Sequence, residues 1–329
     1  MVDQRIDFVL PWVDGEDLNW LAEKASYSPS YLEDNREIRY RNWDNLHFWF
    51  RSVEKFAPWV NKIHFITWGH LPEWLKLDHP KLNIVRHEDY IPEEFLPTFS
   101  SHTIELNLHR IEGLSEEFVY FNDDIFLLSR VEKEDFFKNG LPVDSAILNA
   151  ITPRQGQFSP ILVQSVSVIN KYFKKAEVLK KDPYKWLNLK YGKPLIRTLC
   201  LLPWTHFTGF YNHHLALAYR KETFEEVWQR EEELLLRTCS NKFRNDGDVN
   251  QYIFRYWRLA KGEFIPGTPL GSYINLEEGS EKILKLMNKP KQKMICINDS
   301  QFQGDFEEET KRINEAFLKL FPEKSSFEI

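Results

Sequence analysis

Three observations predict an α/β fold, Rossmann-like, with a mostly parallel sheet, helices on both faces and an inserted lobe. Short apolar runs alternate with helix-period stretches through the N-terminal part of the chain. These runs are rich in Val, Ile and Phe and stop at turn residues, as strands covered on both faces do. The alternation then breaks over about 139–204 and resumes. At 329 residues the chain reads as a single catalytic-sized domain, with a core of 1–138 and 205–329 around that lobe.

The elements follow in order. Ile6–Leu10 reads as a strand stopped by Pro11-Trp12, and Val13-Asp14-Gly15-Glu16-Asp17 as a loop. A polar stretch with Tyr, Ser and Pro comes next. Asp44 is placed to cap a helix to Phe56, where Leu46, Phe50, Val53 and Ala57 keep helical spacing and Pro58 follows. A strand at 62–67, a short helix near 72–75 and a strand at 83–86 come after it. Ser100 or Ser101 caps a helix through His109 that Gly113 ends. The strand at 118–121 delivers Asn122-Asp123-Asp124. Beyond the lobe, helices are expected at 222–238, 248–261, 281–287 and 308–320, with a strand at 293–297. In open sheets of this kind ligands bind beyond the carboxyl ends of the strands, so Asp14 and Asp123-Asp124 are expected to meet in one crevice.

Composition narrows the function. The chain is 42% hydrophobic and 28% charged, enough for a large core and against disorder. Its net charge of −6 and pI near 6.0 argue against a nucleic-acid partner. Cys200, Cys239 and Cys296 are far apart, which fits a reducing compartment better than a disulfide framework. No signal peptide or membrane-length apolar run is visible, so a cytoplasmic protein is expected, with peripheral attachment to the inner membrane face left open.

The informative stretch is Tyr120-Phe121-Asn122-Asp123-Asp124-Ile125-Phe126. Carboxylates inside an apolar run are costly unless paired, hydrogen-bonded or bound to a metal. Strand-end carboxylates are the means by which glycosyltransferases hold Mg2+ or Mn2+ against the diphosphate of a nucleotide sugar, which makes the expected fold GT-A-like. The plainer reading is a carboxylate capping the next turn.

Five stretches occur in order: IDFVLPWVDG (6–15), FRSVEKFAPWVNKIHFITWGHLPEWL (50–75), LPTFSSHTIELNLHRIEGLSEEFVYFNDDIFL (96–127), HHLALAYRKETFEEVW (213–228) and NKFRNDGDVNQY (241–252). Together they resemble the blocks of the Stealth family. That family includes bacterial capsular and cell-wall polysaccharide phosphotransferases and the catalytic core of the eukaryotic N-acetylglucosamine-1-phosphotransferase. The resemblance implies that an acceptor hydroxyl attacks the phosphorus nearer the sugar of a UDP-sugar, UMP leaves and a phosphodiester forms. It further implies Asp124 as metal ligand, with Asp123 assisting and Asp248 completing the shell. Glu105 is implied as a ligand to metal or substrate hydroxyl, Arg244 as a diphosphate ligand, and His214 as proton acceptor, with His213 as the alternative one position away. Pro11, Trp12, Asp14 and Gly15 would form the uridine and ribose loop, and Arg51 would reach phosphate or hold that loop.

The implied partners are a UDP-sugar and a glycan acceptor, with a lipid-linked oligosaccharide expected. Two other readings stay open. One is a metal-dependent glycosyltransferase releasing UDP, and the other a non-catalytic carbohydrate-binding protein. The lysines at 171, 174, 175, 180 and 181 read as a solvated face or as contacts to anionic lipid or saccharide.

Overall fold

The structure is a computed structural model that describes residues 4–28, 43–298, 302 and 304–329. Most of the polar stretch before the second helix, residues 29–42, lies outside them. In chain order the first elements are β1 (Ile6–Pro11), α1 (Leu18–Tyr27), α2 (Leu46–Phe56), β2 (Ile63–Thr67), β3 (Leu82–Arg86), α3 (Ser101–Leu106), β4 (Glu117–Tyr120) and β5 (Ile125–Leu127). Next come α4 (Lys133–Phe136), β6 (Phe137–Lys138), β7 (Leu141–Asp144), α5 (Ser159–Tyr172), α6 (Lys175–Lys181), α7 (Pro183–Trp186) and α8 (Leu195–Leu201). The chain closes with β8 (Leu217–Arg220), α9 (Lys221–Arg230), α10 (Glu232–Ser240), α11 (Tyr252–Lys261), β9 (Ile265–Pro266), β10 (Gly271–Asn275), α12 (Ser280–Asn288), β11 (Met294–Asn298) and α13 (Phe306–Leu320).

The main sheet has the order β3-β2-β1-β4-β8. β1 pairs in parallel with β2 and β4, and β2 with β3, while β8 runs antiparallel to β4. The mostly parallel α/β architecture expected from the sequence is therefore the one observed. Its central strands are mostly apolar because both faces are covered. Phe8, Leu10, Val119 and Phe121 enter one core, with α2 and α13. Val9, Phe118 and Tyr120 enter the other, with α9 and α11. Each fully buried Phe stabilises the fold by about 2–3 kcal/mol.

Asp7 is the exception inside β1. It is wholly buried, and its carboxylate accepts from Asn61 Nδ2 (2.7 Å), Lys62 N (3.1 Å) and Ser115 N (2.7 Å) and meets His64 Nε2 (3.1 Å). Burial alone would raise its pKa, but His64, Asn61 and Ser115 outweigh burial and hold it below the ordinary carboxylate value.

Several elements differ from expectation. α2 starts one residue after Asn45, and Asp44 adopts a left-handed φ of 47° instead of capping. Near 72–75 there is no helix, because Leu75 forms a bridge with Glu328 of the C-terminal segment. The helix after Ser100 ends at Leu106 and gives way to a 3-10 turn at Leu108–Arg110. The long helix expected over 222–238 breaks at Glu231, whose N–H returns to Val227 O. α1 was unforeseen; Asp17 caps it by accepting from Asn19 N and Trp20 N.

After Asp124 the chain leaves the main sheet. β5 pairs antiparallel with β11, and β11 pairs in parallel with β10. In 139–204, β7 pairs in parallel with β9 from beyond the region, and α5–α8 follow β7 in the chain. Val166, Ile169 and Trp186 from this region share the core of Phe118 and Tyr219. No helix among the described residues is long and apolar enough to cross a membrane.

Candidate active site

The strand order places a topological switch between β1 and β4. From β1 the chain moves to β2 and β3 on one side, then returns to β4 on the other. Connections that diverge in this way leave a crevice at the strands' carboxyl ends. Here it is a cleft of about 1380 Å³. Pro11, Trp12, Asp14 and Gly15 line it from β1, and Asn122, Asp123 and Asp124 from β4. Glu105, His213, His214 and Arg244 complete the convergence, so sequence-distant groups do meet.

Asp124 is the hub. Its Oδ2 accepts from Cys296 Sγ at 3.2 Å and lies 3.7 Å from His214 Nε2, too long for a hydrogen bond but within ion-pair range. Its Oδ1 is buried without a partner among the described residues. The backbone carbonyl of Asp124 accepts from Ile297 N at 2.9 Å, which ties the motif to β11. Asp123 opens to the cleft, yet the surrounding walls, and then Asp124, push its carboxyl up to about 7.

His214 has a left-handed φ of 48°, an uncommon conformation for a residue with a Cβ. Its ring meets Tyr273 edge-on, with centroids 5.3 Å apart. Burial works against the imidazolium, but Asp124 and then Glu105 outweigh it and keep His214 titrating above its ordinary value. His213 turns elsewhere, to Ser145 Oγ at 2.7 Å, and burial pushes it down to about 4. Of the two histidines, His214 is the one beside the aspartates. The loop carrying both is braced from below. Asp144 accepts from Arg255 Nε and Nη2, each at 2.8 Å, and from Arg258, while Arg255 Nη1 donates to Asn212 Oδ1 at 2.7 Å.

Glu105 is buried, accepting from Tyr120 Oη at 3.2 Å and Gln251 N at 3.3 Å. Arg244 is held by Ser101 Oγ at 2.7 Å. The Pro11–Gly15 loop is fixed by His70, whose Nε2 accepts from Asp14 N at 2.7 Å and whose ring packs edge-on against Trp12. Gly271 borders the cleft from β10, where a Cβ would lie 2.1 Å from Met294 O, so only glycine fits.

Two expected site residues are not brought to the cleft. Asp248 is wholly buried and fully engaged. Its Oδ1 accepts from Asn241 Nδ2 (2.6 Å), and its Oδ2 accepts from Asn245 N and meets His102 Nδ1, each at 2.9 Å. These three partners hold the carboxylate away from the cleft. Arg51 makes a two-pronged contact with Glu328 (2.8 and 2.6 Å) and donates to Phe321 O, holding the C-terminal segment instead of a phosphate.

The structure adds four groups to the site: Tyr273 and the Gln155–Phe158 turn line the cleft, His70 braces its Pro11–Gly15 loop, and Cys296 meets Asp124. Only His70 had a signal, lying within a quoted block; Cys296 reads in sequence as one more apolar strand residue.

The donor set fits a hard divalent cation. Two adjacent carboxylates face the cleft, one with an unpartnered buried oxygen. Asp124, His214 and Cys296 present ligand atoms within 4.8 Å of one another. Burial and then Asp124 raise the Cys296 thiol well above its ordinary pKa, and hard divalent cations take oxygen in preference to sulfur.

A paired-carboxylate cleft at the switch point of this sheet is an α/β ligand-binding site, and the relatives that share the sequence make it a transferase's. The models of Stealth conserved regions 1 and 2 match residues 4–32 and 39–143. A capsular polysaccharide phosphotransferase of Streptococcus pneumoniae, WcwK, is 45% identical, covering 99% of this chain and 98% of its own. The exopolysaccharide phosphotransferase cps2G of Lactiplantibacillus plantarum is 41% identical over 98% and 96%. The receptor polysaccharide phosphotransferase WefC of Streptococcus gordonii is 40% identical over 99% of both. Among solved structures, the galactosyltransferase LgtC with donor and acceptor sugar analogs aligns at a TM-score of 0.41, with 10% identity over 95% of each chain. The chain belongs to the Stealth family.

Proposed function

We propose that this enzyme transfers a sugar-1-phosphate from a UDP-sugar to a hydroxyl of a glycan acceptor and releases UMP, in synthesis of a capsular or cell-wall polysaccharide. The observation that carries this reading is the meeting of Asp123, Asp124, His214, Glu105 and Arg244 in one cleft, in a chain related end to end to polysaccharide phosphotransferases.

The acceptor oxygen forms a bond to the phosphorus nearer the sugar, the bond from that phosphorus to the bridging oxygen of UMP breaks, and the hydroxyl proton passes to the imidazole of His214. Asp124 steadies the imidazolium that results. Asp124 and Asp123 would hold Mg2+ or Mn2+, which when bound supplies positive charge against the diphosphate. Arg244, oriented by Ser101, donates to phosphate oxygens. Glu105, already anchored on Tyr120 and Gln251, has its position set to accept from a sugar hydroxyl. Trp12 and Asp14 receive the uridine and its ribose. Within the 139–204 lobe, the Gln155–Phe158 turn that borders the cleft recognises the acceptor, a lipid-linked oligosaccharide at the cytoplasmic face of the membrane.

The test is nucleotide release from a panel of UDP-N-acetylglucosamine, UDP-galactose and UDP-N-acetylgalactosamine, with Mg2+ or Mn2+ and a lipid-linked or soluble glycan. UMP that depends on metal and on Asp124 is the expected product. UDP would assign the enzyme to glycosyl transfer instead.

A further inference from the structure

One surface of the lobe has no use in the reaction above. Between residues 171 and 204 the chain carries nine Lys and Arg against only Glu177 and Asp182, in a protein of net charge −6. Exposed apolar side chains gather in the same segment. Tyr184 is 84% exposed, Leu189 87% and Ile196 61%, and Leu199 and Trp204 further along are exposed too. Single exposed apolar residues are ordinary, but a run of them interleaved with unpaired cations is not.

The packing shows which cations are spent. Lys175 is buried and donates to the carbonyls of Leu201 (2.6 Å), Leu202 (3.1 Å) and Trp204 (2.6 Å), closing the end of α8. Lys171 pairs with Glu231, and Lys174 with Glu177. Lys180, Lys181, Lys190 and Lys193 are exposed and have no ion-pair partner among the described residues. α8 buries Thr198 and Leu201 and turns Ile196 and Leu199 outward. It is fixed beside the cleft. Thr198 Oγ1 accepts from Leu148 N at 3.0 Å, and the Arg197 guanidinium lies 5.0 Å from the ring of Tyr211, a cleft residue.

We infer that the 184–204 face docks this enzyme on a bilayer bearing anionic headgroups. Apolar side chains enter the headgroup boundary, lysines meet the lipid charge, and the cleft is held at the membrane surface. Charge complementarity selects this occupant, since a second copy would bring the same cations against each other. The inference concerns binding alone and stands apart from which nucleotide the reaction releases.

The full chain is sedimented with vesicles of phosphatidylcholine and with vesicles of equal parts phosphatidylcholine and phosphatidylglycerol. Binding is expected to the anionic vesicles and not to the neutral ones, and to weaken with salt. Lys190→Glu with Lys193→Glu, and separately Leu189→Ser with Ile196→Ser, should each lower the bound fraction at least about tenfold. Both pairs lie outside the cleft and leave UMP release with a soluble acceptor unchanged. No binding to anionic vesicles, or binding that both double variants retain, would overturn the inference. So would a solution dimer that the Leu189→Ser, Ile196→Ser variant splits, because a second copy would then cover the face. Loss of UMP chemistry with vesicle binding intact would sink the proposed function and leave this inference standing.

Discussion

At the level of single residues, Asp124 carries three relationships at once. It has an unpartnered oxygen, a thiol donor and an imidazole at ion-pair distance. Asp124→Asn keeps the shape and removes the charge. Metal-dependent UMP release should fall about a thousandfold or more, while the thermal midpoint stays near wild type. His214→Gln should cost about 10²–10⁴ in kcat and leave donor KM nearly unchanged, and His213→Gln should do far less. Steady-state kinetics on purified variants check all three. The difference between the neighbouring histidines comes from where the backbone turns them, since His214 alone takes the left-handed φ.

Elements set up that geometry. The loop from α10 to α11 is knotted around Asp248, which joins Asn241, Asn245 and His102 of α3 and so fixes Arg244 between them. Asp248→Asn should raise donor KM about tenfold with Mn2+ affinity as in wild type, an effect of misplacing Arg244. Calorimetric titration with Mn2+ decides the matter, because a ligand role for Asp248 would show as lost metal affinity. α2 is tied to the C-terminal segment by Arg51 and Glu328, whose side chains are 10% and 3% exposed. Arg51→Leu strands a buried carboxylate and should cost about 3 kcal/mol in urea unfolding, leaving KM for the donor unchanged.

Across the whole molecule, two buried carboxylates join distant parts. Asp7 links β1 to β2 and to the turn before β4, and Asp144 links β7 to α11 through Arg255 and Arg258. For both, burial raises the pKa but the partners prevail, so the folded value lies below the ordinary one. The stabilisation is therefore complete above the unfolded carboxylate pKa of about 3.9 and is lost as pH falls through the folded values. Urea midpoints should drop steeply below about pH 4 as these carboxylates protonate, after a shallower decline that starts near pH 6.5, where the unfolded chain begins to protonate His213 while the folded one, with His213 lowered to about 4, does not. Asp7→Asn should be less stable at neutral pH and should flatten this acid slope.

The sequence by itself determined five of the strands and their order of appearance, but not β5 to β10. β1, β2, β3, β4 and β11 lie within a residue or two of their expected bounds, because apolar runs bounded by turn residues are a local signal. It also determined the family and the carboxylates, histidine and arginine at the centre of the cleft. Pro11, Trp12, Asp14, Gly15, Glu105, Asp123, Asp124, His214 and Arg244 all face one space. It could not assign Asp248 or Arg51. A short-range pattern says that a carboxylate or guanidinium is present, but only the fold says which partners reach it first. Asp248 is taken by His102 and two asparagines, and Arg51 by a glutamate near the other end of the chain. Cys296 reached Asp124 in the same way, through the pairing of β5 with β11, and the exposed face of α8 became visible only once Lys175 and its neighbours had been matched to their partners. Hydrogen bonds and ion pairs are satisfied across the folded molecule, over sequence separations that no local pattern spans, so tertiary structure decided which polar residues remain free to act.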